Sequence, residues 1–172
     1  MNIPETYAYL VRARRDLWAA LEGVPDEVLS RPLLDGERFR CIKDLVAHTA
    51  AVEDGWIHYT ILRDVPVEDV FPAIKAAGDG PVYAGFPLAE LLDYWRAVEQ
   101  STLAYLSTLT DVELERGVED APEEHFRLGG LLWHVMLHEV RHTAQIVALL
   151  RTQGIRPPSL DLLFYLPNLW KP

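Results

Sequence analysis

The apolar residues of the chain recur at helical spacing in four long segments, and no segment alternates convincingly between apolar and polar residues. The first segment follows Pro4, a residue suited to the opening turn of a helix, and stops at Gly23 and Pro25. Its apolar stripe carries one polar interruption, Arg14. The pattern predicts an amphipathic helix between Pro4 and Gly23.

Three further segments have the same periodicity. The second runs from about Cys41 to Arg63, the third begins after Pro87, and the fourth lies between Gly130 and Gly154. Each apolar stripe is wide enough to face a common core. The sequence therefore predicts an all-α protein, a four-helix bundle formed by a single domain over residues 1–172.

The connections between these helices differ in length. More than twenty residues rich in Pro and Gly separate helices two and three, which suits a long crossover rather than a tight hairpin. Within this crossover, Val67 to Ala77 is expected to form a short extra helix. The C-terminal tail, residues 157–172, is apolar and is expected to pack on the bundle or on a second subunit. Its apolar residues are Leu162, Leu163, Phe164, Tyr165, Leu166, Leu169 and Trp170.

Charge and composition narrow the classes of partner. The chain has 16 basic and 26 acidic side chains and a net charge of −10, which disfavours binding to nucleic acid or to an anionic membrane. Its single cysteine, Cys41, excludes an intrachain disulfide and fits a reducing compartment. The N-terminus has no secretory-signal pattern, and no apolar run approaches the ~20 residues of a membrane span. We expect a cytoplasmic protein with no nucleic-acid or membrane partner.

The candidate chemistry lies on the fourth helix. His134, His138 and His142 follow one another at intervals of four residues, so adjacent members can point at one site. The outer two are separated by about 12 Å of helix rise. A mononuclear metal would therefore take one adjacent pair and a third ligand from another helix, for which His48 on the stripe of helix two is available. Three imidazoles leave an open coordination position.

The same residues also have interpretations that involve no metal site. Histidines on a helix can be core or surface residues without a metal, and His58 and His125 are expected to be surface residues. Cys41 is expected to be a small buried residue, with a role at the site as the alternative. Glu53 and Glu139 are interpreted as ordinary helix glutamates, with a role beside the metal or as a base as the alternative.

Three known metal-site patterns fit poorly. The string from His138 to His142 matches the H-E-x-x-H motif of zinc proteases, but a downstream third ligand and a substrate-aligning strand are missing. Ferritin-like di-iron chemistry requires inward-facing glutamates, whereas the predicted inward stripes offer almost no carboxylates. The acidic stretch from Glu113 to Glu124 lacks calcium-loop spacing and is expected to be a solvated face and loop.

Two segments resemble a known family. The run from His134 through Ile146 resembles the last helix of the DinB-like (damage-inducible, YfiT-related) bundles, which commonly reads H-x-x-x-H-x-x-x-H-R-G-Q. The run from Ile42 through Glu53 resembles the family's second helix, whose first ligand lies in a string like I-x-x-L-x-x-H. Two departures occur: Thr143-Ala144 replaces the usual R-G, and Cys41 replaces the usual N-cap serine.

This resemblance implies a function as well as a fold. It implies metal ligands at His48, His138 and His142, with His134 in the second ligand shell or the core. The cofactor would be a divalent metal ion together with a low-molecular-weight thiol such as bacillithiol or mycothiol. Imidazole nitrogens bind zinc, nickel, copper and iron, and of these we expect zinc or nickel. The implied activity is that of a metal-dependent thiol S-transferase or a related hydrolase acting on a small-molecule substrate, in a homodimer. The alternative is a metal-binding or stress-response bundle without turnover.

Overall fold

The computed structural model describes residues 2–166, and four long helices dominate them. The helices are α1 (Ile3–Glu22), α2 (Asp26–Leu29), α3 (Ile42–Asp54), α4 (Pro72–Ala77), α5 (Leu88–Leu106) and α6 (Leu128–Thr152). The long helices α1, α3, α5 and α6 pack together as the predicted bundle, while α2 and α4 are short. The prediction of an all-α four-helix bundle is confirmed.

Side-chain caps define where α1 and α3 begin. The Asn2 side chain accepts a hydrogen bond from the Glu5 amide, and the Glu5 carboxylate accepts one from the Asn2 amide. Cys41 and Asp44 form the same reciprocal pair at α3: the Cys41 sulfur accepts from the Asp44 amide at 3.4 Å. The Asp44 carboxylate in turn accepts from the Cys41 amide at 3.2 Å. A thiol therefore serves as the cap where serine is the usual choice.

The α3 helix continues directly into a π-helix over Gly55–Leu62, so the segment is helical almost to Arg63, as predicted. The wider π turn shifts which side chains face the core. Beyond Asp54 the buried residues include Ile57 and His58, while Tyr59 is 65% exposed. The expectation that His58 is a surface residue is therefore wrong, because its ring is buried between Asp54 and Ser101.

The core forms two apolar clusters along the bundle. The larger joins all four long helices around residues such as Leu17, Leu45, Trp95 and Ile146. The smaller includes Ile3, Tyr7, Ile57, Leu131 and Met136. Within the part of the chain that the structure describes, no helix is long and apolar enough to cross a membrane.

The long crossover between α3 and α5 contains short helical turns. A 3₁₀ turn over Val67–Val70 precedes α4, which confirms a short helical element between Val67 and Ala77, and another 3₁₀ turn covers Tyr83–Gly85. The crossover returns to α3, where the Tyr83 amide donates to Asp44 at 3.0 Å. This connection carries Asp79 to the face of α3 that bears His48.

A β-hairpin between α5 and α6 was not predicted. Strands β1 (Gly117–Ala121) and β2 (Glu124–Arg127) pair antiparallel, with Glu123 in a left-handed conformation (φ 73°) at the turn. Apart from Val118 the side chains of both strands are at least partly exposed, so no alternation of apolar residues marked them. The acidic residues from Glu119 to Glu124 are exposed as expected and lie on this hairpin, whereas Glu113 and Glu115 precede it on a 3₁₀ turn.

The C-terminal segment packs against α1. The Tyr165 hydroxyl donates to the Asp16 carboxylate at 2.7 Å, and its ring lies edge-on to Tyr9 at 5.5 Å. Leu163 and Phe164 are each 70% exposed, so the tail is only partly covered. Packing on the bundle is therefore observed for Tyr165, whereas Leu169 and Trp170 lie outside the described residues.

Candidate metal centre

Three histidines from two helices meet at one point. His138 and His142 lie one turn apart on α6 with ring centroids 4.3 Å apart, and the His48 ring from α3 lies 4.9 Å from each of them. One nitrogen of each ring lies within 4.8 Å of a nitrogen of both other rings. The structure therefore brings together the three residues that the sequence singled out. Nitrogens this close can bind one metal ion with small side-chain adjustments.

Packing of α3 against α6 determines this meeting point. Leu45 of α3 and Ile146 of α6, each about one turn from the nearest histidine of its helix, lie in the same apolar cluster. The two helices thus approach closely where their polar residues also face each other. Apolar contacts on the same helix faces therefore help to bring the imidazoles together.

Oxygen acceptors orient two of the three rings. The His48 Nδ1 lies 2.8 Å from the Asp79 carboxylate, and the His142 Nδ1 lies 2.6 Å from the Gln145 Oε1. Since both oxygens only accept, each Nδ1 carries the proton and each Nε2 presents its lone pair. The His142 Nε2 lies 3.1 Å from the His138 Nε2. Carboxylate and amide oxygens behind the rings are the usual support of metal-binding imidazoles.

The surroundings favour the neutral form of the two imidazoles on α6. Burial, followed by the neighbouring His142 and His48 rings, lowers the pKa of His138 to about 3. Burial is also the main cause that lowers the pKa of His142. Neutral imidazole is the form that binds metal, so the donor set fits a divalent transition metal.

A cavity of about 270 Å³ opens beside the three rings. Phe39 stacks on His48 with the ring centroids 3.9 Å apart, and Arg38, Arg141 and Gln145 line the walls. Asp79 and Phe39 were missed, because both come from irregular connections whose path across α3 leaves no local pattern.

The remaining sequence candidates have other surroundings. His134 is exposed with its ring 6.0 Å from His138, so it lies beside the centre and not in the core. His125 is exposed on the hairpin, as expected. Cys41 is buried at its cap position, and burial raises the pKa of its thiol to about 11, which leaves it uncharged. His58 bonds Asp54, away from the three-histidine cluster.

Glu139 points away from the three histidines into a buried ion cluster around Arg14. The Arg14 side chain is fully buried, donates to Glu139, and lies 3.1 Å from Glu53 and 3.5 Å from Glu99. The expectation of almost no interior carboxylates is therefore wrong. Di-iron chemistry remains unsupported, because these carboxylates bind a guanidinium. Since Glu139 is tied to Arg14, the geometry also gives no support to a protease base.

The polar interruption in the first apolar stripe was the signal for this cluster. A buried arginine requires carboxylate partners, because an isolated charge in the interior is costly. Glu53 and Glu139 lie on the other predicted helices and were treated as ordinary helix glutamates. Both are almost completely buried. Which of these charged residues pair across helices becomes visible only in the tertiary structure.

A helical bundle with three clustered histidines beside a cavity places the protein among candidate metal-binding helical proteins. Family comparison gives a narrower assignment: the DinB family model matches residues 1–169, and the chain belongs to the DinB family. The resemblance noted in two helices thus holds over nearly the whole chain.

One similar solved structure is YfiT from Bacillus subtilis, described as "a probable metal-dependent hydrolase with an unusual four-helix bundle topology". It is 21% identical with a TM-score of 0.65, and the match covers 89% of this chain and 88% of YfiT. At this identity the similarity concerns the fold. Comparison with curated proteins found no match.

Proposed function

We propose that the protein binds one divalent metal ion through His48, His138 and His142 and uses it to transfer a low-molecular-weight thiol to an electrophile. The observation that carries this proposal is the convergence of three imidazoles beside a cavity. Three protein ligands leave a coordination position for a small molecule. A bound divalent ion supplies the positive charge that holds a thiol as its reactive thiolate near neutral pH.

The residues around the centre have distinct tasks in this proposal. Asp79 and Gln145 hold the His48 and His142 rings so that Nε2 faces the site. Phe39 covers one face of His48 and limits water there. Arg141 lines the cavity and supplies positive charge toward an incoming thiolate or a negatively charged substrate.

Zinc or nickel is the expected ion. Three imidazole nitrogens without a carboxylate or thiolate ligand suit both ions. Hydrolysis is the related reaction, which the description of YfiT as a probable metal-dependent hydrolase supports by analogy. Formation of a homodimer and a cytoplasmic location stay predictions.

The first test is elemental analysis of untagged protein. We expect about one zinc or nickel ion per chain, lost in His138→Ala and retained in His125→Ala, since His125 is an exposed histidine on the hairpin. The metal-loaded protein is then incubated with thiols and an electrophile. Thiol conjugation that is lost in His138→Ala supports the transferase, whereas activity unchanged in that variant contradicts it.

The second candidate function is structural: the bound metal ion would mainly join two helices. Its ligands come from α3 and α6, so binding links two helices that are remote in sequence. This version predicts that chelation lowers the melting temperature strongly and that no thiol or electrophile is turned over. Binding at 1,000 times the dissociation constant corresponds to about 4 kcal/mol of stabilisation.

A further inference from the structure

A second cluster of reactive side chains lies where α3 passes into the π-helix. The Asp54 carboxylate lies 2.7 Å from the His58 Nδ1, and the His58 Nε2 lies 2.6 Å from the Ser101 Oγ of α5. Carboxylate, imidazole and hydroxyl thus follow one another in the order found in serine hydrolases. The ten residues between His48 and His58 correspond to about 15 Å of helix, which separates this cluster from the three histidines.

Asp54 is held firmly as the carboxylate of this cluster. Its Oδ1 accepts from the Val67 amide and its Oδ2 from the Glu68 amide, both at 2.9 Å. The Tyr94 hydroxyl also donates to Oδ2, at 2.8 Å. Although burial opposes ionisation, the hydrogen bonds from His58 and the two amides lower the pKa of Asp54. The crossover thus supplies two amides that orient a buried, ionised carboxylate.

This carboxylate determines the tautomer of His58. Because Asp54 only accepts, the proton of neutral His58 lies on Nδ1, and Nε2 is left to accept from the Ser101 hydroxyl. The hydrogen bond to Asp54 also raises the pKa of His58, which makes its neutral ring a stronger base. Imidazole and hydroxyl are therefore aligned for proton transfer from oxygen to nitrogen.

Burial decreases from the carboxylate to the hydroxyl, and a nucleophile has to be the accessible member of such a cluster. Asp54 and His58 are buried, while Ser101 is only half-buried on α5. The hydroxyl thus lies at the boundary between the interior and the surface. The π-helix that carries His58 ends at Arg63 in a left-handed conformation (φ 54°), and such irregular helical segments are frequent at functional sites.

We propose that Ser101, with His58 as base and Asp54 as its orienting carboxylate, is a nucleophile that takes the acyl group of small activated esters. Ser101 Oγ bonds to the ester carbonyl carbon while its proton moves to His58 Nε2. The bond from that carbon to the leaving oxygen then breaks, and His58 returns the proton to the departing alcohol. Water releases the acid from Ser101 by the same proton route, and no electron acceptor is required.

The test uses the full chain and two probes, a fluorophosphonate and p-nitrophenyl acetate, at mildly alkaline pH so that His58 is neutral. We expect one covalent adduct, located on Ser101 by peptide mass spectrometry, and none there in Ser101→Ala. His58→Gln should slow labelling roughly 100-fold. Ser107→Ala is the matched control, since Ser107 follows the same helix but its hydroxyl bonds the Ala104 carbonyl.

Two outcomes overturn the proposal. One is labelling of Ser101 in the native protein no faster than labelling of Ser107. The other is labelling that disappears when metal is removed by a chelator, since the cluster acts without the three histidines. Circular dichroism melting of each variant confirms that it is folded. Ser101→Ala leaves the pair between Asp54 and His58 intact, so the test stands even if His58→Gln does not fold.

Discussion

Arg14 of α1 and Glu139 of α6 form a buried, two-pronged ion pair next to the candidate metal centre. The Arg14 Nε donates to Glu139 Oε1 at 2.9 Å, and its Nη2 bonds the other carboxylate oxygen. Glu139 directly follows His138 and lies about 100° around α6 from it and about 60° from His142, so the pair anchors α6 on a face adjacent to that of the histidines. The same helix thus carries a packed ion cluster on one face and metal-binding chemistry on another.

Removing the central cation should destabilise the fold strongly. Arg14→Met leaves Glu53, Glu99 and Glu139 buried without their shared partner, and we expect a loss of about 3–5 kcal/mol. Urea denaturation measures this loss. Arg127→Gln, which breaks an exposed pair with Glu115, is the control and should cost less than about 1 kcal/mol. Equal effects of the two substitutions would contradict the structural role of the cluster.

Loss of Asp79 should weaken metal binding without unfolding the protein. Asp79→Ala removes the acceptor that orients His48, and we expect affinity for zinc to fall about 10- to 100-fold. Competition with a chromophoric chelator measures the affinity. Asp69→Ala removes another crossover carboxylate, paired with Lys75, and should leave the affinity unchanged. A wild-type affinity in Asp79→Ala would show that His48 needs no support from the crossover.

Protonation of His58 should stabilise the protein in a pH-dependent way. The hydrogen bond to Asp54 raises the pKa of His58 above its ordinary value of about 6.5. The folded state therefore binds this proton more tightly, and its stabilisation is fully present below pH ~6.5 and lost as pH rises through the raised pKa. The free energy of unfolding should differ most between wild type and His58→Gln in acid, and less in alkaline buffer.

Urea titrations of both proteins at several pH values check this sign. His125→Gln, a change at an exposed histidine of the hairpin, is the matched control. A difference that grows toward alkaline pH would contradict the prediction.

Cys41 should be unreactive in the folded protein. Its thiol is buried, and burial raises its pKa to about 11, so little reactive thiolate exists at neutral pH. Ellman's reagent should modify native protein very slowly and urea-unfolded protein completely. Rapid modification of the native state would indicate that the start of α3 opens and that the cap is not stable.

Much of the architecture could be predicted from local pattern. Apolar residues at helical spacing and the Pro and Gly residues that interrupt them placed the four long helices and the crossover, because amphipathic helices bury one face whatever their neighbours are. The hairpin was missed because its short strands are mostly exposed. The phase beyond Asp54 was also missed, since a π turn leaves no pattern distinct from an α-helix in sequence.

The candidate site, too, could be predicted from the sequence only in part. The spacing of His138 and His142 and the inward position of His48 were visible in the sequence, because both follow from helical geometry alone. The approach of Asp79 to His48, the grouping of three glutamates around Arg14, and the alignment of Ser101 with His58 join segments remote along the chain. Such contacts depend on how helices and connections pack, a property of the whole core that only the tertiary structure decides.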